Sequence, residues 1–177
     1  NPNAANTYGV EVEMRKSVAF VADAPWLENL FFNVNAAYMQ SRVDFNGDNN
    51  AFDPKRALQG QSPWLINAGL QYVTEDGAFS FSGLVNRIGH RIAAVGFQGY
   101  PDIYENGRTM LDFQAAVKVL QSKGELKLNL SDLLNQRAVF YQNVDVADKK
   151  AYNPAKDRVQ YNYLYGRNVS LSFAYNF

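Results

Sequence analysis

The sequence contains no cysteine, only one histidine and no long apolar run. Without cysteine there is no disulfide framework and no thiolate metal site. No segment approaches the roughly 20 consecutive apolar residues that a transmembrane helix needs, so a helical membrane protein is excluded. Seventeen basic residues balance seventeen acidic ones, whereas nucleic-acid-binding proteins carry a basic surface. We therefore expect no nucleic-acid partner.

Motifs that carry enzymatic chemistry are missing as well. There is no nucleophile elbow, phosphate-binding loop or helical histidine–glutamate motif. The sole histidine, His90, is expected to belong to a surface loop. The segment 44–55 spaces its Asp and Asn residues like a calcium loop, but Gly47 stands at the fourth rather than the sixth position, and Lys55 replaces the final glutamate. We predict no enzymatic activity, no cofactor and no metal site.

Aromatic residues are abundant, with twelve phenylalanines and eleven tyrosines. Apolar and polar residues alternate with a period of two in about seven segments, which is the pattern of strands with one apolar face. The segments are residues 7–15, 29–41, 63–72, 78–85, 108–120, 125–134 and 168–177. The sequence therefore predicts an all-β protein of about seven antiparallel strands.

Short and long links alternate between these segments. The short links lie near residues 21–28, 74–77 and 121–124, and the long polar ones are 44–62, 90–107 and 133–158. Tight turns that alternate with long loops are typical of bacterial outer-membrane barrels. The polar faces also carry many charges, which a sheet tolerates only where that side is wet. We predict an antiparallel transmembrane β-barrel in contact with outer-membrane lipid, with a soluble β-sandwich as the alternative.

Strand number and strand length add two expectations. An odd number of strands does not close a bacterial barrel whose ends are both periplasmic, so we expect residue 1 to be a cut within a longer chain. Tyr165 and Phe177 are twelve positions apart and would lie on the same face of one continuous strand. Such a strand would be roughly 40 Å long at about 3.3 Å per residue. Tyr161 and Tyr163 have the same parity and are expected, with Tyr165, in the outer aromatic girdle.

Three segments resemble one family, the TonB-dependent receptors of Gram-negative outer membranes, particularly those of Bacteroidetes type. The first segment is TYGVEVEMRK, and the third is NLSDLLNQ followed by a long loop and GRNVSLSFAYNF. The second is RALQGQSPWLINAGLQY, which is similar to the family's pattern at Arg56, Leu58, Gly60, Ser62, Pro63, Asn67, Leu70 and Tyr72. Together these segments cover nearly the whole chain in the family's order.

The resemblance implies a barrel of about 22 strands, of which residues 1–177 form the C-terminal part. A plug domain and a TonB box would then precede residue 1. It further implies active, TonB-driven import of a scarce nutrient such as a siderophore, a glycan or a peptide, and it allows a surface lipoprotein as a further partner. A passive porin, or a barrel that acts as an adhesin or in secretion, is the alternative function.

Two groups of residues are candidates for function. The alternating residues that end at the C-terminus resemble the signal read by the barrel assembly machinery, in which an extended strand adds to an exposed sheet edge; they are Val169, Leu171, Phe173, Tyr175 and Phe177. The long loop 133–158 contains three aromatic residues that we expect to be exposed and able to stack on a ligand. These candidates are Phe140, Tyr141 and Tyr152.

Overall fold

The computed structural model describes residues 4–44, 55–97, 99–143 and 152–177. Twelve strands lie in these ranges: β1 (Ala4–Ser17), β2 (Leu30–Asp44), β3 (Lys55–Arg56), β4 (Trp64–Val73), β5 (Phe79–Ile88), β6 (Arg91–Ala94), β7 (Ile103–Glu105), β8 (Thr109–Val119), β9 (Gly124–Ser131), β10 (Ala138–Gln142), β11 (Arg158–Tyr163) and β12 (Asn168–Tyr175). Two short 3-10 turns, Val18–Phe20 and Pro25–Asn29, lie between β1 and β2. Among the described residues, no helix has the length and apolar character required to span a membrane. The prediction of an all-β, antiparallel protein is confirmed.

Eight strands form one large sheet. Seven of them follow the order β1-β2-β4-β5-β8-β9-β12, and the short β3 pairs with the end of β2. These seven strands coincide with the seven alternating segments of the sequence, and each one pairs with the next along the path. The result is an up-and-down meander. In the described part of the chain the sheet does not close, and β1 and β12 lie at its edges.

The strand register collects apolar side chains on one side of the large sheet, which we call the apolar face. Residues that oppose each other in antiparallel strands point to the same side of a sheet. One row of opposed residues crosses six strands through Leu30, Tyr72, Phe81, Ala115, Leu128 and Leu171. Parallel rows contain Val12, Ala36 and Ile66, and also Val117, Leu126 and Phe173. The apolar face is therefore continuous from β1 to β12.

This face has no second layer packed on it among the described residues. The exposed fractions of Val12, Phe173 and Leu171 are 63%, 55% and 71%. In a soluble β-sandwich the apolar sides of two sheets pack against each other and exclude water. The described residues do not have that arrangement.

The opposite side of the large sheet, the polar face, carries side chains that bridge neighbouring strands by hydrogen bonds. Asn86 donates through Nδ2 to Asn67 Oδ1 at 2.5 Å. Gln114 donates through Nε2 to Asn129 Oδ1 at 2.6 Å, and Asn129 Nδ2 donates to Ser170 Oγ at 3.2 Å. The two faces of the sheet are thus divided in polarity, as the alternation in the sequence predicts.

A second sheet of four short strands has the order β11-β10-β7-β6. It is built largely from segments that the sequence predicts to be long loops, and that prediction is wrong for them. In the chain, β6 follows β5, β7 precedes β8, β10 follows β9 and β11 precedes β12. In each of these four pairs of consecutive strands, a short non-strand segment separates the two strands. These breaks lie at residues 89–90, 106–108, 132–137 and 164–167. The second sheet therefore continues one half of the large sheet, with the same neighbour order, beyond a line of breaks.

The prediction of one uninterrupted strand from Tyr165 to Phe177 is also wrong. Strand β12 contains eight residues, about 26 Å at about 3.3 Å per residue. Gly166 precedes it with φ at 88°, a left-handed conformation that interrupts a strand. Tyr161 and Tyr163 consequently lie in β11 of the second sheet rather than in an extension of β12.

Candidate functional site

The C-terminal strand lies exposed at an edge of the large sheet. Its predicted assembly residues share the apolar face and oppose residues of β9: Val169, Leu171, Phe173 and Tyr175. A Cβ atom on Gly124 would lie 2.9 Å from the ring of Phe173, so the glycine makes room for that ring. Phe177 is fully exposed beyond the strand, with its ring centroid 5.2 Å from that of Tyr175. The geometry suits addition to another strand, while recognition by the assembly machinery stays a prediction.

Two of the three predicted ligand-stacking residues lie inside the second sheet. Phe140 and Tyr141 are adjacent in β10, with exposed fractions of 7% and 0%. The ring of Phe140 stacks on Tyr161 at 4.5 Å between centroids, and the ring of Tyr141 stacks on Tyr104 at 5.8 Å. The expectation that these two rings are exposed is therefore wrong. Tyr152 is half-buried with its ring 5.1 Å from Tyr141, and ligand binding by it stays a prediction.

The buried phenol of Tyr141 is held in its neutral form. Burial raises the pKa of this group, and the negative charge of Asp157 acts in the same direction. A phenol with a raised pKa remains a hydrogen-bond donor and carries no charge at neutral pH. Tyr141 thus serves as part of the core of the second sheet.

A cleft of about 430 Å³ opens where the second sheet joins the large one. Its walls come from the end of β2, the segment 56–63, the start of β6 and Tyr104 of β7. The basic residues that line it are Arg42, Arg56, His90 and Arg91, and no described residue of the lining is acidic. Tyr38, Met39, Ile92 and Tyr104 add aromatic and apolar surface. Clefts lined by basic side chains attract anions.

The segment 56–63, which forms one wall of the cleft, is attached to β2 by two hydrogen bonds. The backbone N–H of Leu58 donates to Ser41 Oγ at 3.0 Å. The backbone N–H of Met39 donates to the carbonyl of Pro63 at 2.8 Å. These bonds place the wall beside the end of β2, where Arg42 lies.

The same segment is also attached to the residues that begin the second sheet. Ser62 is almost fully buried, and its hydroxyl donates to the carbonyl of Gly89 at 3.0 Å. The N–H of Gly60 donates to the carbonyl of Ile92 at 2.8 Å. Gly60 has φ at 81°, a conformation that glycine adopts without strain. Glycine and serine in the RALQGQSP segment are therefore explained by the way it connects the two sheets.

Arg91 is positioned by a buried carboxylate. The two residues oppose each other in β6 and β7, and Nε and Nη2 of Arg91 lie 2.8 and 2.7 Å from Oε2 of Glu105. The side chain of Glu105 is 6% exposed, whereas that of Arg91 is 38% exposed. A guanidinium carries five N–H donors. This pair therefore orients Arg91 and leaves it with donors for a further partner.

The sequence alone does not indicate the cleft. Arg56 belongs to the segment RALQGQSPWLINAGLQY. It reaches the cleft beside Arg42 and Arg91 only because distant parts of the chain pair as strands. His90 lies in the short connection between β5 and β6 and lines the cleft. The only local signal is the RALQGQSP segment itself, because its glycine, serine and proline require a defined backbone path.

The described residues contain no group of three or more His, Asp or Glu side chains placed to hold a metal ion. The calcium-like spacing in the segment 44–55 falls mostly on residues 45–54, which lie outside the described ranges.

Comparison of the chain with protein-family models, with curated proteins and with solved structures finds no match. Function must therefore be inferred from the molecule itself. The features that bear on it are the two faces of the large sheet, the exposed C-terminal strand and the basic cleft.

Proposed function

We propose that residues 1–177 form the closing part of the wall of a TonB-dependent transporter in the bacterial outer membrane. The observation that carries this proposal is the continuous, exposed apolar face of seven strands with a hydrogen-bonded polar face behind it. In the wall of a membrane barrel, outward side chains contact lipid and inward side chains face a polar interior. A soluble protein would leave this face in water, and soluble monomers rarely expose apolar patches larger than a few hundred Å².

The two edges of the large sheet favour a wall that further strands complete. Unpaired backbone groups at an open edge are costly in hydrocarbon, so open edges do not occur there. The seven strands alternate in direction, and β1 and β12 consequently run the same way. They cannot complete an antiparallel barrel with each other. A closed barrel wall therefore requires additional strands between them, and a barrel of about 22 strands would supply these.

One of the segments that resemble the family, NLSDLLNQ, has a demanding local geometry. In NLSDLLNQ, Asp132 and Asn135 have positive φ angles of 51° and 47°. Asn135 Oδ1 accepts a hydrogen bond from the N–H of Gly166 at 3.2 Å, and Arg167 Nε donates to the carbonyl of Leu133 at 2.8 Å. These contacts join the exit of β9 to the entry of β12. The likeness thus involves residues that shape the line of breaks.

Transport is tested by uptake in the bacterium that makes the protein. Uptake of ferric chelates, cobalamin and oligosaccharides would be compared in four strains: wild type, a strain without this protein, a TonB-depleted strain, and a TonB-depleted strain that also lacks this protein. We expect at least one nutrient whose uptake falls to the same low level in the last three strains. A defect that requires the protein but not TonB would favour the passive porin, and unchanged uptake of every nutrient would contradict transport.

A further inference from the structure

We infer that the cleft between the two sheets is a binding site for an anionic group, either a phosphate or a carboxylate. Arg42, Arg56 and Arg91 converge on it from three different strands, and no described residue of the lining is acidic. Glu105 balances the charge of Arg91 on one side only, and opposite charges attract one another more strongly in a partly enclosed cleft than in open water. An anion bound in the cleft would accept hydrogen bonds from guanidinium groups on more than one strand.

Two of the three arginines have contacts that hold them in place before any ligand binds. Glu105 fixes Arg91 through contacts of 2.8 and 2.7 Å, and Arg56 Nη1 donates to the carbonyl of Ala57 at 3.1 Å. The planar guanidinium fork matches the oxygens of a phosphate or carboxylate and binds them with two parallel hydrogen bonds. Side chains that are already oriented lose less conformational entropy on binding. Arg56 and Arg91 are therefore already oriented when an anion arrives at the cleft.

The remainder of the lining indicates what the anion is attached to. Tyr38 and Tyr104 offer aromatic surface, and Met39 and Ile92 offer apolar surface. A volume of about 430 Å³ falls within the range of small-molecule sites, roughly 300 to 1,000 Å³. The ligand is thus a small molecule, or one end of a larger one, with a phosphate or carboxylate on a less polar body. Such a group comes either from a soluble compound or from a lipid headgroup.

Calorimetric titration of the full protein with defined probes tests the inference. The soluble probes are inorganic pyrophosphate and citrate, and the lipid probe is dioctanoyl phosphatidic acid with dioctanoylglycerol as its uncharged control. The variants are Arg42→Gln, Arg91→Gln and Arg91→Lys. Arg137→Gln is the matched control, because Arg137 is an exposed arginine outside the cleft that donates to Asn162 Oδ1 at 2.9 Å.

We expect saturable binding of at least one anionic probe, weakened roughly tenfold or more by Arg42→Gln and by Arg91→Gln, since each removes charge-assisted hydrogen bonds. Arg91→Lys should fall in between because it keeps the charge but loses the fork. Arg137→Gln should bind like wild type. Arg91→Gln leaves the buried Glu105 without its cation and so risks unfolding. Arg42 is exposed, and Arg42→Gln is therefore expected to retain the fold.

The two groups of probes distinguish the source of the anion. Binding of pyrophosphate or citrate identifies a soluble ligand, and binding of phosphatidic acid alone identifies a lipid headgroup. No binding of any probe would overturn the inference, as would equal affinities of wild type and Arg42→Gln, or an equal loss in Arg137→Gln. The anion site is inferred from the residues of the cleft and not from transport. A failure to bind would therefore not bear on the proposed barrel wall.

Discussion

Replacement of Leu128 by arginine perturbs the centre of the apolar face. Leu128 lies in the middle of β9, opposite Ala115 on one side and Leu171 on the other. If this face contacts lipid, an arginine at the middle of the membrane costs about 2–4 kcal/mol. We expect the free energy of unfolding of the full protein in phospholipid vesicles, measured by guanidinium titration, to fall by about that amount.

The adjacent residue provides a matched control on the polar face. Asn129 exchanges exposed hydrogen bonds with Gln114 and Ser170, at 2.6 and 3.2 Å. Asn129→Arg therefore removes one or two partly solvated hydrogen bonds, and we expect a loss of about 1 kcal/mol. The same charge is thus introduced at two neighbouring positions with opposite surroundings. Equal losses at both positions, or a larger loss for Asn129→Arg, would refute the assignment of the two faces.

Three further predictions concern local contacts and use the same unfolding titration. Gly60→Ala should lower stability by about 1–2 kcal/mol through backbone strain alone, because nothing lies within 4 Å of the new Cβ; a neutral result would contradict the left-handed turn. Ser62→Ala should cost about 1–3 kcal/mol by leaving the buried carbonyl of Gly89 without its donor, and Ser62→Thr should retain part of that stability. A hydrogen bond from the hydroxyl of Thr74 lowers the pKa of Asp76 below its usual 3.8. The ionised carboxylate therefore stabilises the turn above that pH, and this stabilisation is lost as the pH falls through the lower folded-state pKa. The stability difference between wild type and Asp76→Ala should shrink on acidification, and a constant difference would contradict this.

The large sheet can be predicted from the sequence because the alternation of apolar and polar residues is local and recurs in every one of its long strands. Alternation such as that of Leu126, Lys127 and Leu128 identifies both a strand and its two sides, and the register then aligns equivalent sides across the sheet. The second sheet has strands of three to six residues, such as Ile103–Glu105, which are too short for a periodic signal. Its formation depends on pairing between distant segments. For the same reason the cleft and the burial of Tyr141 do not follow from the sequence.

The contact between the apolar face and lipid is tested most directly by spin-label accessibility along β9. The chain has no cysteine, so single cysteines can be introduced for labelling at positions 126–130, with any cysteine elsewhere in the full protein replaced by serine. Molecular oxygen partitions into lipid, whereas a nickel chelate stays in water. We predict oxygen-dominated relaxation at positions 126, 128 and 130 and nickel-dominated relaxation at 127 and 129. Nickel access at all five positions, or access of neither agent at the even ones, would contradict a lipid-facing wall.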